Sequence, residues 1–177
     1  MIGVAMSFTE VNPETLKLKP YKAFDYNWAL LTAGTPEDFN TMTIGWGMIG
    51  SFWTHSAVTV YVRESRYTKE FMDKYDSFSV CFFNRDTHED LKYLGTTSGR
   101  DTDKLANTNL TPITIDNTVC FEESRLILTC TKVASTKIDK DAIRNSEMHE
   151  KWYTGNDKDD FHTAYIGFVN RSFTKDM

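Results

Sequence analysis

Apolar and polar residues in this chain alternate mostly at a period of two, the signature of half-buried strands. Residues 29–33 (Ala-Leu-Leu-Thr-Ala) read as a strand that stops at Gly34 and a polar loop over 35–40. Strand-like runs follow at 41–52, 57–62 and 78–83, rich in β-branched and aromatic side chains. Over 123–133, Arg125, Ile127, Thr129 and Thr131 alternate against Leu126, Leu128, Cys130 and Lys132, and a final run spans 164–173. Helical spacing is rarer. Residues 67–75 place Tyr67, Phe71, Met72 and Tyr75 on one stripe. A second helix over 87–94 is expected to end at Gly95 as its C′ glycine, and a third over 102–108 to start at Asp101. Residues 139–152 are weakly helical, and 154–160 read as a solvated acidic loop. Strands come in runs rather than alternating with helices. The pattern therefore predicts a mainly β fold, a closed or nearly closed antiparallel β-barrel with inserted helices.

Composition narrows the function classes. With 177 residues, 40% hydrophobic and 14% aromatic, the chain suits a single domain over 1–177 with a sizeable core. A net charge of −5 speaks against general nucleic-acid or anionic-membrane binding, so any anion site must be local. No apolar stretch is long enough to span a bilayer and residues 1–8 are too short for a signal-peptide core, so the expected location is the cytoplasm. Cys81, Cys120 and Cys130 lack metal or disulfide spacing and read as small core residues. His55, His88, His149 and His162 show no metal-ligand pair at helical spacing.

Three segments carry candidate chemistry. At 63–68, Arg-Glu-Ser-Arg-Tyr-Thr stands where a strand gives way to a helix. Free N–H groups, the helix dipole, two arginines and two hydroxyls there suit a phosphate. The plain alternative is a surface turn with Ser65 or Thr68 as N-cap. At 96–101, Thr-Thr-Ser-Gly-Arg-Asp, followed by Lys104, forms either a second polar clamp or an ordinary helix–helix connection. At 40–47, glycines 45 and 47 inside a strand pattern signal a bend or a close approach of backbone to something flat. No Gly-x-Ser-x-Gly or Gly-x-Gly-x-x-Gly segment occurs.

Five segments in order extend this reading: Asn-Thr-Met-Thr-(x)2-Trp-Gly (40–47), Val-Arg-x-Ser-Arg-Tyr-Thr (62–68), Ser-Val-Cys-Phe-Phe (79–83), Gly-Thr-x-Ser-Gly-Arg-Asp-x-Asp-Lys (95–104) and Phe-His-(x)2-Tyr-Ile-Gly (161–167). Together they resemble the flavin reductase-like family of FMN-binding split β-barrels, including its flavoredoxin-like members. The resemblance implies a Greek-key split barrel that forms a homodimer and holds FMN non-covalently near the subunit interface. By position, Met42, Thr43 and Ile44 would lie along the isoalloxazine. Arg63, Ser65, Arg66, Tyr67 and Thr68 would surround the phosphate, and Ser98, Gly99, Arg100, Asp101 and Lys104 would come from the covering loop. Trp46, Phe52 and Trp53 are the expected interface residues.

The implied activity is hydride transfer from NAD(P)H to flavin and on to free flavin or another acceptor, with the chemistry carried by the cofactor. His162 is the candidate for a polar catalytic role near the ring, against a structural role at a strand start. An electron-transfer carrier docking to a redox partner protein, without nicotinamide activity, is the alternative. A pyridoxamine-phosphate-oxidase-like barrel and a barrel without cofactor are more distant readings.

Overall fold

The computed structural model describes residues 8–175; of the segment 1–8 discussed above, residues 1–7 lie outside it. An eight-stranded antiparallel sheet contains β1 (Phe8–Val11), β2 (Ala29–Thr35), β3 (Asp38–Ile44), β4 (Gly47–Phe52), β5 (His55–Arg63), β6 (Ser77–Phe82), β9 (Leu126–Ile138) and β10 (His162–Lys175). A separate hairpin, β7 (Pro112–Ile115) and β8 (Thr118–Phe121), turns through Asp116 and Asn117, both with positive φ. Among the described residues three α-helices are inserted: α1 (Tyr67–Lys74), α2 (His88–Thr96) and α3 (Ser146–Tyr153).

The strand order β3-β2-β6-β9-β10-β5-β4 explains the shape. Its two ends, β3 and β4, are consecutive in the chain and joined by Gly45 and Trp46 alone. Three peptide steps from Ile44 to Gly47 reach at most ~10 Å. The sheet must therefore curl until its edges nearly meet, yet β3 and β4 do not pair. The barrel is split along that seam. Register shifts between β9 and β10, at Ile166/Gly167 and Val169/Arg171, bend the two longest strands around the curve.

Neighbouring residues on one strand serve opposite faces. Leu31, Val80 and Leu128 join Val58, Val60 and Tyr165 inside the barrel, whereas Leu30, Cys81 and Ile127 pack outward under Leu91, Leu94 and Phe121 of α2 and the hairpin. Burial on both faces is why β2 and β6 are almost continuously apolar. The three cysteines are free and buried, as expected.

Some local expectations are corrected. The 41–52 run is two strands broken at Gly45 and Trp46. Gly95 lies inside the last turn of α2 rather than after it, and a Cβ there would come within 3.2 Å of the Thr43 Cβ. Its smallness lets α2 lie close against β3, where the Thr43 hydroxyl donates to the Leu91 carbonyl. Residues 102–108 form only a 3-10 turn, Leu105–Asn107. Strand β9 extends to Ile138, and α3 begins only after Asn145, which caps the Met148 N–H.

Candidate functional site

Beside the seam lies a cleft of about 540 Å³, within the usual range for small-ligand sites. Met42, Thr43 and Ile44 of β3 and the Gly45–Trp46 link form one wall. Tyr61 and Arg63 of β5 and His162 of β10 form another, because the antiparallel register sets His162 directly opposite Arg63. Trp152 of α3, with Asp157 and Asp160 beyond it, closes a third side. Trp46 stands edge-on to Trp152 at 4.8 Å between ring centres and tilted to His162 at 5.2 Å.

A smaller polar pocket of about 120 Å³ adjoins this cleft, sharing Met42, Ser65 and Arg66 with it. Its lining includes Asn40, Thr68, Ser98, Gly99 and Lys104. Helix α1 begins here, and no side chain caps its N-terminus at Arg66. Its first N–H groups and dipole therefore stay available to an anion. Asn40 donates to the Thr68 hydroxyl at 2.7 Å, which leaves the hydroxyl proton free to donate in turn. Lys104 is buried and gives its ammonium to the Leu94 and Thr97 carbonyls, each at 3.2 Å. An ammonium has three donors, so one remains. Burial, and secondly the nearby Arg66 charge, push its pKa down to about 8. Arg66 spends one donor on the Gly95 carbonyl at 3.0 Å. A Cβ on Gly99 would lie 2.3 Å from the Asn40 Oδ1, so any larger residue would have to push the Asn40 amide from its place beside Thr68.

The predicted residues thus divide. Thr43, Ile44, Arg63 and His162 line the cleft; Met42, Ser65 and Arg66 reach both spaces; Tyr67, Thr68, Ser98, Gly99 and Lys104 line the polar pocket. Arg100 turns outward, donating to the Ser65 carbonyl at 3.1 Å and Glu70 at 2.5 Å over the Tyr67 ring, and neither it nor Asp101 lines either space. Arg63 is occupied by the segment before β10. It donates to the Trp152 carbonyl at 3.1 Å and the Asp160 carbonyl at 3.0 Å, with Asp157 and Asp160 carboxylates at 3.7 and 3.9 Å.

The acidic loop is not simply solvated. Asp160 accepts from the Ser65 N–H at 2.9 Å and the Ser65 hydroxyl at 2.7 Å. The reading of Asp157 and Asp160 as merely solvated is corrected, and Tyr61 and the cleft-facing role of Trp152 carry no local signal in the sequence. The Arg63–Trp152 contact joins residues 89 apart, which no local pattern reveals. His162 is buried, with Nδ1 at 2.8 Å from the Tyr153 hydroxyl. Burial, assisted by the Arg63 charge, pushes its pKa down to about 4, so the imidazole is neutral at pH 7.

A split antiparallel barrel with a ring-sized cleft opening on a cationic pocket defines a class of barrels suited to planar ligands with an anionic tail. Sequence comparison makes the assignment specific: residues 21–171 match the model for the flavin reductase like domain, and the chain belongs to that family. No curated protein is significantly similar to it in sequence. Among solved structures, the flavoredoxin of Methanosarcina acetivorans is similar in fold, with 20% identity and a TM-score of 0.63 over 85% of this chain and 69% of that one. An FMN-binding domain of a flavin reductases-like enzyme from Shewanella baltica OS155 shares 15% identity, TM-score 0.66, over 95% and 77%. An NADH:FAD oxidoreductase of Streptomyces globisporus C-1027 shares 13% identity, TM-score 0.60, over 84% and 75%.

Proposed function

We propose that this protein binds FMN non-covalently and passes hydride equivalents from NADH or NADPH through it to a free flavin or another acceptor. The observation that carries the reading is the junction of cleft and polar pocket at Met42, Ser65 and Arg66. The pocket offers Arg66, Lys104, the Thr68 and Ser98 hydroxyls and the open end of α1 to a phosphate. The cleft offers the β3 wall of Met42, Thr43 and Ile44 to a planar ring. Ser65 and Arg63 are assigned instead to holding the 152–160 segment.

When bound, the flavin supplies two-electron hydride exchange and one-electron transfer. The chain's own residues bind, orient and shield. Trp46 and Trp152 exclude water from the mouth of the cleft. Tyr153 fixes the His162 ring, and a neutral imidazole there can hydrogen-bond to a ligand without adding charge.

A second copy of the chain fits the edge formed by β4 and the turn after it, where Met48 and Trp53 are 61% and 63% exposed. That aromatic edge supports a homodimer with the cleft near its interface.

The test is spectroscopic. Purified protein, supplemented with FMN and dialysed, should retain a flavin absorption band that bleaches rapidly on anaerobic mixing with NADH or NADPH. A bound flavin that neither nucleotide bleaches would make the protein an electron carrier working with a redox partner. A preparation that holds no FMN would overturn the reading.

A further inference from the structure

The corner at 63–68 already holds an anion, and that anion belongs to the chain itself. Asp160 sets one carboxylate oxygen on the Ser65 N–H at 2.9 Å and the other on the Ser65 hydroxyl at 2.7 Å. A backbone N–H and a hydroxyl beside a helix start are the donors that a phosphate takes at such a turn. The Asp160 carboxylate also lies 3.9 Å from the Arg63 guanidinium. Ser65 lines the ligand cleft, where Asp160 stands, and it lines the polar pocket as well. An anion entering that pocket therefore meets the residue that Asp160 is using, next to the uncapped start of α1 at Arg66. Two anions cannot use the same donors, and side by side they repel.

Asp160 also holds something in place. It ends the 152–160 segment, whose Trp152 forms a wall of the cleft. Residues 154–159 are all exposed. Letting go of Ser65 therefore costs hydrogen bonds rather than core packing.

We propose that Asp160 is an internal competitor for the flavin phosphate: it latches the 152–160 segment to Ser65, and a phosphate arriving in the polar pocket displaces it. The proposal rests on the flavin reading above and deepens it, because Ser65 then serves two states, holding Asp160 in one and the phosphate in the other. Such coupling is reciprocal. A phosphate that frees the segment binds better once the segment is already free. Riboflavin, which has no phosphate, takes no part in the exchange.

Two readouts test it together: subtilisin cutting within 154–160, and quenching of flavin fluorescence on titration. Saturating FMN should speed the cutting of wild-type protein about threefold or more, and riboflavin should leave it unchanged. Asp160→Ala should tighten FMN about fivefold or more while moving riboflavin less than about twofold. Asp160→Asn keeps the size and drops the charge; it should move FMN in the same direction, and it serves alone if the alanine variant does not fold. Asp157→Asn, beside Arg63 at 3.7 Å and outside the Ser65 contact, should change neither flavin. Cutting that FMN slows or leaves alone, or FMN affinity that neither Asp160 variant raises, would overturn the inference and leave the flavin reading standing. Equal tightening of FMN and riboflavin would make the segment a steric gate over the ring and overturn it too. If wild-type protein binds no flavin, the functional reading fails first and this inference with it.

Discussion

Within the polar pocket, two cations have separable duties. Arg66 is exposed and keeps spare donors after its bond to the Gly95 carbonyl. Arg66→Ala should weaken FMN by about ten- to 150-fold, the loss of roughly 1.5–3 kcal/mol expected for a charged hydrogen bond, with the denaturation midpoint unchanged. An unaltered dissociation constant would remove Arg66 from the site. Lys104 adds a pH signature. Its pKa is depressed to about 8 by burial and by Arg66, so the free protein loses that charge as pH rises through 8. A bound phosphate favours the protonated form. FMN affinity should accordingly be full near pH 7 and fall between about pH 8 and 10, and in Lys104→Met it should be lower at pH 7 and flat over that range. An equal pH slope in wild type and variant would place the titrating group elsewhere. The same depressed pKa means the free fold binds fewer protons than the unfolded chain between about 8 and 10.5, so this residue's contribution to stability rises with pH there.

Elements differ in how far they could be read from residue order. Strands β2 and β6 are legible because two packed faces keep nearly every position buried, and β5 because Val58, Val60 and Val62 alternate with Thr59, Tyr61 and Arg63. The strand-to-helix corner at 63–68 is legible in the sequence too, since strand, arginine, hydroxyl and helix follow one another within six residues. Hairpin β7–β8 escaped notice because its strands are four residues each and its apolar side chains are interrupted by Thr and Pro. The α3 segment escaped in a different way. Its helical spacing is weak but visible, whereas its contacts with Arg63 and Ser65 span 89 to 97 residues of chain. Those contacts make the 152–160 segment a wall of the cleft, pinned largely through Asp160. Asp160→Asn should weaken that pin, since an amide offers one acceptor where the carboxylate offers two. We expect a stability loss of roughly 1–2 kcal/mol in chemical denaturation, with faster proteolytic cutting between Thr154 and Asp160. Unchanged cutting would mean that the aromatic contacts of Trp152 and Tyr153 hold the segment unaided.

Across the whole molecule, one topological fact organises the rest. The strand path begins and ends with neighbours in sequence, so the barrel must roll up, and because β3 and β4 do not pair it stays open along one line. Along the same line β4 runs on from the Gly45–Trp46 wall of the cleft, and Met48 on it and Trp53 just after it are exposed. If a second copy covers that edge, light scattering should give about twice the 20.4 kDa chain mass, and Trp53→Glu should halve it while weakening FMN. A wild-type monomer mass would remove the partner from the site.

Leaving the roll unzipped has a genetic consequence. One border of β3 keeps main-chain groups that no strand has claimed, and every residue type except proline brings the same N–H and C=O to that border. A planar guest gripped by those groups would tolerate drift in the side chains around it, whereas a proline at Thr43 would silence a donor that no other substitution removes.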